Sequence, residues 1–383
     1  MQKTMEDLFR FRDFHGMLTR PVLELVDRER LPGITQRILE INEGQSIRYI
    51  AAKPERTSHW GRHPTAFAYL RCMDGRVHLP TMTGLPMGLV KPFSAMGGRF
   101  EIWWPAFGKR MRNWVHTVEK KYGVACAVLV TYHYSASDPA GERHLGCRGW
   151  RYDTAAARAH AERLAHDIGD VFGAQVTPMV TGVETDARNL IFHGREGDVS
   201  GAMCIGRSDE EVQHAIAHAF PGMHPQVTSD LVPFLTGNAV RVAEHIDHPR
   251  HIEALGHQER IIAIGHGFDY WISEANLAVV VDDADPNLDV PIAAAGAIVA
   301  ENIAGRLHAE GSQSEEALLL ASVPYDTHGS EWNLSVKRAQ GLCRYALENL
   351  PKEYAHILNG QRLRKLIGVT NEKTKLFEPI AFA

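Results

Sequence analysis

The residues best suited to chemistry stand at the ends of two apolar runs. Ala66 to Arg76 reads AFAYLRCMDGR, an aromatic-bearing stretch predicted to be a buried strand, and it closes on Cys72, Asp74 and Arg76: a thiol, a carboxylate and a guanidinium delivered together. Ala125 to Thr131 reads ACAVLVT and runs into Tyr132-His133, followed by a short polar loop that ends in His144-Leu145-Gly146-Cys147. In open α/β sheets ligands bind in the crevice outside the carboxyl ends of the strands. The two clusters are therefore expected on one rim, where two thiols and an imidazole form a zinc ligand set with one position left open. Two histidines compete for the imidazole place. His144 has the close His-x-x-Cys spacing, whereas His133 sits at the strand end, fixed by the sheet, and a rigid position suits metal geometry better.

The pattern Cys72, Asp74, Arg76, His133 and Cys147 resembles the β-carbonic anhydrases, whose first strand ends in Cys-x-Asp-x-Arg and whose next strand ends in a His followed by a second Cys. The runs TYHYSASDPAGERHLGC, TGVETD (181–186), GHQERIIAIGHGF (256–268) and PNLDV (286–290) are similar, more specifically, to the carboxysomal branch. This resemblance implies an α/β fold with a mostly parallel sheet flanked by helices. It also implies Zn2+ held by Cys72, His133 and Cys147, with the strand-end histidine as the ligand. The activity implied is reversible hydration of carbon dioxide to bicarbonate and a proton, in a homodimer or higher homo-oligomer. The branch further raises association with a carboxysome or rubisco, and a cytoplasmic or carboxysomal location.

Such a ligand set dictates what else is needed. A three-ligand zinc keeps a place for water and lowers its pKa to about 7. Two thiolates donate more negative charge than imidazoles, so the water is less acidic here and neighbouring groups must compensate. Asp74 is expected to orient the nucleophile, and Arg76 to pair with Asp74 and keep it turned from the metal. Proton export calls for a group that titrates near neutrality, and His257 and His266, at the head and tail of a later strand, are the candidates. Phe93-Ser94-Ala95, on the connection between the ligand strands, resembles the family stretch at the small apolar pocket that carbon dioxide needs, and ordinary core packing is the alternative reading of it. Two other functions fit the same residues: a different zinc lyase or hydrolase with a larger polar pocket, and a scaffold with a closed structural zinc.

The elements that must position these groups follow from composition and periodicity. At 383 residues, 44% hydrophobic and 23% charged, the chain has the make-up of an ordinary soluble protein of two or three domains. A net charge of −5 gives no electrostatic footprint for nucleic acid. Five scattered cysteines are no disulfide framework and suit a reducing compartment. The start, MQKTMEDLFRFRDFHG, reads as neither signal peptide nor anchor, and the softest run, PIAAAGAIVA, is about half of the ~20 residues a bilayer span requires. Residues 1–45 are read as a helical segment, 46–250 as the zinc-binding domain and 251–383 as a second domain.

Trp103, Phe107, Met111, Trp114 and Val118 recur at helical spacing and predict a crossover helix packed on the sheet. Asp153 caps a predicted second helix with Ala157, Ala161, Leu164, Ile168 and Phe172 on one face, before a strand from Val176. Ser208 to Glu211 form a capping box, and Leu235, Ala239, Val242 and Ile246 mark a further helix. The strands ERIIAIGHG and ALLLASVPYD then repeat, at nearly the same separation, the spacing of the two ligand strands. The C-terminal half is accordingly expected to be a decayed copy of the fold that closes the cleft from the other side. It ends its strands in Gly265-His266 and Val323-Pro324, and so should assemble no zinc site of its own.

Overall fold

The computed structural model describes residues 33–247, 256–267, 277–283, 287–310, 316–359 and 362–382. Residues 1–32, and Phe268 and Pro286 of the quoted runs, lie outside the described residues, and with them the expectations they carry.

Two sheets follow one plan. In the first, the order is β2 (Val90–Ala95), β1 (Ala66–Cys72), β3 (Cys126–Tyr134), β4 (Val176–Glu184), β5 (Asn189–Gly194) and β6 (Gly197–Ser200). The first four are parallel and the last two turn back antiparallel. In the second, the order is β8 (Ala278–Val281), β7 (Ile261–Gly265), β9 (Ala317–Tyr325), β10 (Leu363–Asn371) and β11 (Phe377–Phe382), again four parallel strands and one antiparallel. Strand for strand, the second sheet repeats the first five positions of the other. The fold is α/β and duplicated, as expected.

The central strands are continuous apolar runs because helices cover both faces of each sheet. On one face of the first sheet, Ala68, Leu70, Val128 and Val130 meet Phe107, Met111, Val115 and Val118 of the crossover helix Pro105–Tyr122, together with Ala157, Ala161, Leu164 and Ile168 of Thr154–Phe172. We label the helices α1 (Gly33–Ala51), α2 (Lys53–Arg62), α3 (Leu79–Thr83), α4 (Pro105–Tyr122), α5 (Thr154–Phe172), α6 (Asp209–Ala219), α7 (Pro225–Asp247), α8 (Asp289–Glu310) and α9 (Ser330–Asn349). The other face of the first sheet is covered by α6 and α7, with Phe67 against Phe234. Asp153 caps α5, and the Ser208–Glu211 capping box opens α6.

Several expectations need correction. Trp103 precedes α4 and is 71% exposed, so it packs on nothing in the sheet; its indole donates to Glu101. Ile246, in the last turn of α7, is also exposed. Phe93-Ser94-Ala95, between β1 and β3 in the chain, forms part of edge strand β2 beside β1, and Phe93 belongs to the core around Phe107, the core-packing reading of this stretch. Helix α1 runs without a break through residue 45, and its Ile38 and Leu39 pack on the second sheet. Asn42 fastens it there, donating to Lys375 O at 3.0 Å and accepting from Phe377 N at 2.7 Å.

The two sheets meet through their strand ends. Val280 N, in β8, donates to Met73 O at 3.0 Å, just past β1. Cys72, Met73 and Cys147 share an apolar cluster with Ile264, Val281 and Ile298 of the second half. The rim carrying the first-half cysteines is thus walled by the second half.

Candidate metal centre

The turn after β1 is held by a buried cation that the sequence reading passed over. Arg71, 1% exposed, sits inside the apolar run and sends Nη1 to the carbonyls of Val77 (2.9 Å) and Asp74 (3.2 Å). It thereby folds the segment that presents Cys72, Asp74 and Arg76. The facing loop, between β3 and α5, is organised by the Asp138 carboxylate, which accepts from the backbone N–H groups of Arg143 (3.1 Å) and Leu145 (2.9 Å). Beyond Cys147 the loop touches the end of β2 so closely that a Cβ on Gly149 would lie 2.6 Å from Gly97 Cα. Only glycine permits that approach, which fixes where Cys147 can stand.

Cys72, His133 and Cys147 converge, each buried, with their ligand atoms within 4.8 Å of one another. The two sulfurs are 3.9 Å apart, and both cysteines are free. That separation is far from the ~2.05 Å of a disulfide. It fits the roughly 3.8 Å edge of a tetrahedron with ~2.3 Å metal–sulfur bonds, as zinc makes. His133 is 1% exposed and neither ring nitrogen has a hydrogen-bond partner. A buried polar ring without partners is costly. A cation between the three side chains would relieve that cost. His144 is exposed, stands in the left-handed region (φ 59°) and stacks on Tyr152 at 4.6 Å, outside this group.

Electrostatics separate the two thiols. The hydrogen bond from Cys147 outweighs burial and, with His133 nearby, holds the Cys72 thiol well below its ordinary range. The same bond and burial push Cys147 well above it. One proton leaves the pair readily and the second stays, a combination that a divalent cation reverses by binding both as thiolates.

Asp74 is beside the trio and is turned away by Arg76. Its Oδ2 accepts from Arg76 Nη2 at 2.6 Å and its Oδ1 from Arg76 Nε at 3.0 Å and from the Arg76 N–H at 2.8 Å, while His133 Nε2 stands 3.7 Å from Oδ2. Arg76 is itself anchored on the carbonyls of Leu145 (2.7 Å) and Gly146 (3.1 Å), next to Cys147. Burial pushes the Asp74 carboxyl up, but Arg76 first, then His257 and His133, outweigh it and hold the group well below the usual carboxylate range.

The second half contributes His257 and Glu259 to this place. His257 Nε2 lies 3.3 Å from Arg76 Nη2 and 3.9 Å from Asp74 Oδ2, and its Nδ1 is 3.2 Å from Glu259. Glu259 is completely buried and also faces the Gly75 N–H at 3.4 Å. Sequence reasoning missed Glu259, although the His-x-Glu spacing at the head of β7 was visible. His266 is not brought to the centre. Its Nδ1 lies 3.0 Å from Asp283 in a separate cluster with Asp282 and Arg110. The relay reading therefore narrows to His257 on proximity.

No protein-family model matches the chain. The chain is similar to the carboxysome shell carbonic anhydrase of Prochlorococcus marinus, with 27% identity over 262 residues, 58% of this chain and 50% of the relative. It is also similar to the carboxysome shell carbonic anhydrase of Hydrogenovibrio crunogenus, with 22% identity over 240 residues, 52% of this chain and 44% of the relative. The chain spans about half the length of the curated relatives it matches. Among solved structures, a carbonic anhydrase from Streptococcus mutans aligns with 33% of this chain and 80% of that chain, at 15% identity and a TM-score of 0.23.

Proposed function

We propose that the chain is a zinc-dependent carbonic anhydrase that interconverts carbon dioxide and bicarbonate. The observation that carries this reading is the buried trio Cys72, His133 and Cys147, with both nitrogens of His133 lacking hydrogen-bond partners and Asp74 pinned aside by Arg76. Similarity to two carboxysome shell carbonic anhydrases supports it. Zinc bound by these residues would supply a Lewis-acidic open position at which water becomes nucleophilic near neutral pH.

The chain's own residues divide the remaining work. Arg76 keeps the Asp74 carboxylate ionised and fixed by paired charge-assisted bonds, so that it accepts a hydrogen bond from the reacting water and does not swing in as a ligand. That pair argues against a closed structural site, which has no use for a restrained carboxylate. Apolar Met73, Val281 and Ile298 pack behind the cysteines and limit water around them. His257, within reach of Arg76 and Asp74, receives the outgoing proton, and Glu259 fixes its ring orientation.

Association with a carboxysome is part of this proposal on the similarity to the two relatives, and homodimerisation on the resemblance to the β-carbonic anhydrases alone. Among the described residues no helix is long and apolar enough to cross a membrane. The test is metal analysis of the purified chain combined with stopped-flow carbon dioxide hydration. About one zinc per chain with hydration above the buffer rate is the expected result. A zinc-loaded chain with no hydration activity would overturn the enzymatic reading.

A further inference from the structure

A cleft of about 460 Å³ shares no residue with the metal centre. Its walls come from four places in the chain: Gln45 and Arg48 of α1, His78 before α3, Arg188 in the turn between β4 and β5, and Arg241 and Glu244 of α7. Three guanidinium groups thus face one carboxylate, and that carboxylate is engaged by Arg241 at 3.0 Å. Two observations, at Arg188 and Gln45, show a cation without an ion-pair partner and a shaped site. Arg188 is half-buried in the left-handed region (φ 58°), where a non-glycine residue is uncommon; its carbonyl is held by Asn238 Nδ2 at 2.8 Å, and its guanidinium has no ion-pair partner among the described residues. Gln45 is 2% exposed and lines the cleft with both its carboxamide nitrogen and oxygen lacking partners.

We propose that this cleft binds a phosphate group, either free or carried on a small organic molecule. The guanidinium groups of Arg188 and Arg241 provide the planar donor forks that suit phosphate oxygens, in a site partly screened from water. Gln45 adds what a simple cationic patch lacks, a buried donor beside a buried acceptor. A phosphate near neutral pH carries both oxygen acceptors and, in its monoprotonated form, an O–H donor, so it satisfies both ends of the carboxamide. Burial and the nearby Arg241 charge push the Arg188 pKa down, the strain that an anion would relieve. Leu85 and Met87 extend the wall with apolar surface where the rest of an organic phosphate would lie.

The experiment is thermal unfolding of the full chain titrated with inorganic phosphate, and separately with glycerol 3-phosphate, at ionic strength held constant with sodium chloride. A saturable rise in melting temperature with phosphate is expected, and tighter binding of the ester would identify a carried phosphate as the source. Arg188→Gln should weaken the phosphate response about tenfold or more, the value of one lost charge-assisted bond. Arg188→Lys, which keeps the charge but not the planar fork, should fall between the wild type and Arg188→Gln and shows that the fold tolerates change there. Zinc content and basal hydration should be the same in all three proteins. No saturable response to either probe, or an undiminished response in folded Arg188→Gln, would overturn the proposal.

Discussion

The two halves of the molecule share a plan and differ in chemistry, and the strand registers show where they part. Ala68 of β1 pairs with Val128 of β3, and Ile262 of β7 pairs with Leu319 of β9, each pair on the sheet face covered by its own crossover helix. Counting along from those pairings, the place of Cys72 is taken by His266 and the place of His133 by Pro324. Proline offers no side-chain ligand. The third ligand is lost with its loop: a long segment carrying Cys147 joins β3 to α5, but only Asp326 to Gly329 join β9 to α9. Identical topology therefore places no constraint on the site, which lives in the strand ends and loops. The second half has not become inert, because it places His257, Glu259 and an apolar wall beside the candidate metal centre.

The sharpest test of that asymmetry is to remove a sulfur from each half. Cys72→Ala or Cys147→Ala should abolish stoichiometric zinc and with it all hydration activity, while Cys343→Ala, in α9 of the second half, should leave zinc at about one per chain. Retention of zinc in the Cys72 variant on elemental analysis would remove the ligand assignment. Next in size is Arg76→Ala. With its partner gone, Asp74 is free to reach the metal, and we expect hydration to fall by about 100-fold or more, the upper end of effects from groups supporting a metal's ligands. Zinc should stay bound; near wild-type turnover would show that the pair does not act as argued.

How much of this was legible in the sequence depends on the range of the forces involved. The ligand strands were readable because a parallel strand covered on both faces is a continuous apolar run, and a polar cluster ending such a run stands out. Asp153 and the Ser208–Glu211 box were readable because caps are local. Edge strand β2 was not, since VKPFSA pairs on one side only, tolerates Pro92 and has weak alternation. Trp103 fits the helical spacing of the core stripe but falls just outside the helix, and spacing alone cannot see where a helix begins. Arg71 and Glu259 are buried charges whose partners are carbonyls or side chains set by the fold, so nothing local distinguishes them from solvated residues. The docking of α1 on the second sheet joins Asn42 to Phe377, contacts that no pattern within either segment announces.

A third prediction concerns what the second half lends to the first. His257→Gln should lower turnover roughly tenfold at low buffer concentration, within the range assigned to positioned proton transfer. Imidazole buffer should restore much of that loss, and zinc should be unaffected. Glu259→Gln, which removes charge but keeps shape, should produce a smaller loss with the same rescue. A deficit in either variant that buffer cannot repair would indicate a structural role for the dyad instead of proton transfer.

The smallest effects should come from the contacts that clasp the halves together, and here burial decides between two ion pairs. Arg110 of α4 reaches Asp282 at 2.5 Å and Asp283 at 2.6 Å beyond β8; these carboxylates are about one-tenth exposed, and Arg338 of α9 and His266 share the cluster. Arg148, near Cys147, reaches Glu301 of α8 at 2.5 Å, but those side chains are 30% and 47% exposed. Removing one partner of a buried pair leaves the other charge desolvated, so Arg110→Ala should cost about 3 kcal/mol in chemical denaturation. Arg148→Ala, on a solvated pair, should cost under ~1 kcal/mol. Acid separates the pairs further. Although burial pushes Asp283 up, His266, Arg110 and Arg338 outweigh it and hold its carboxyl well below the usual range, so its contribution is fully present above the unfolded value of about 4 and is lost as pH falls towards the folded one. Burial pushes Asp282 the other way, ahead of Arg110's pull, which offsets part of the gain. The gap between wild type and Arg110→Ala should accordingly shrink when denaturation is repeated below pH ~4. An unchanged gap at acid pH would assign the stabilisation to packing of the Arg110 stem and not to its charge.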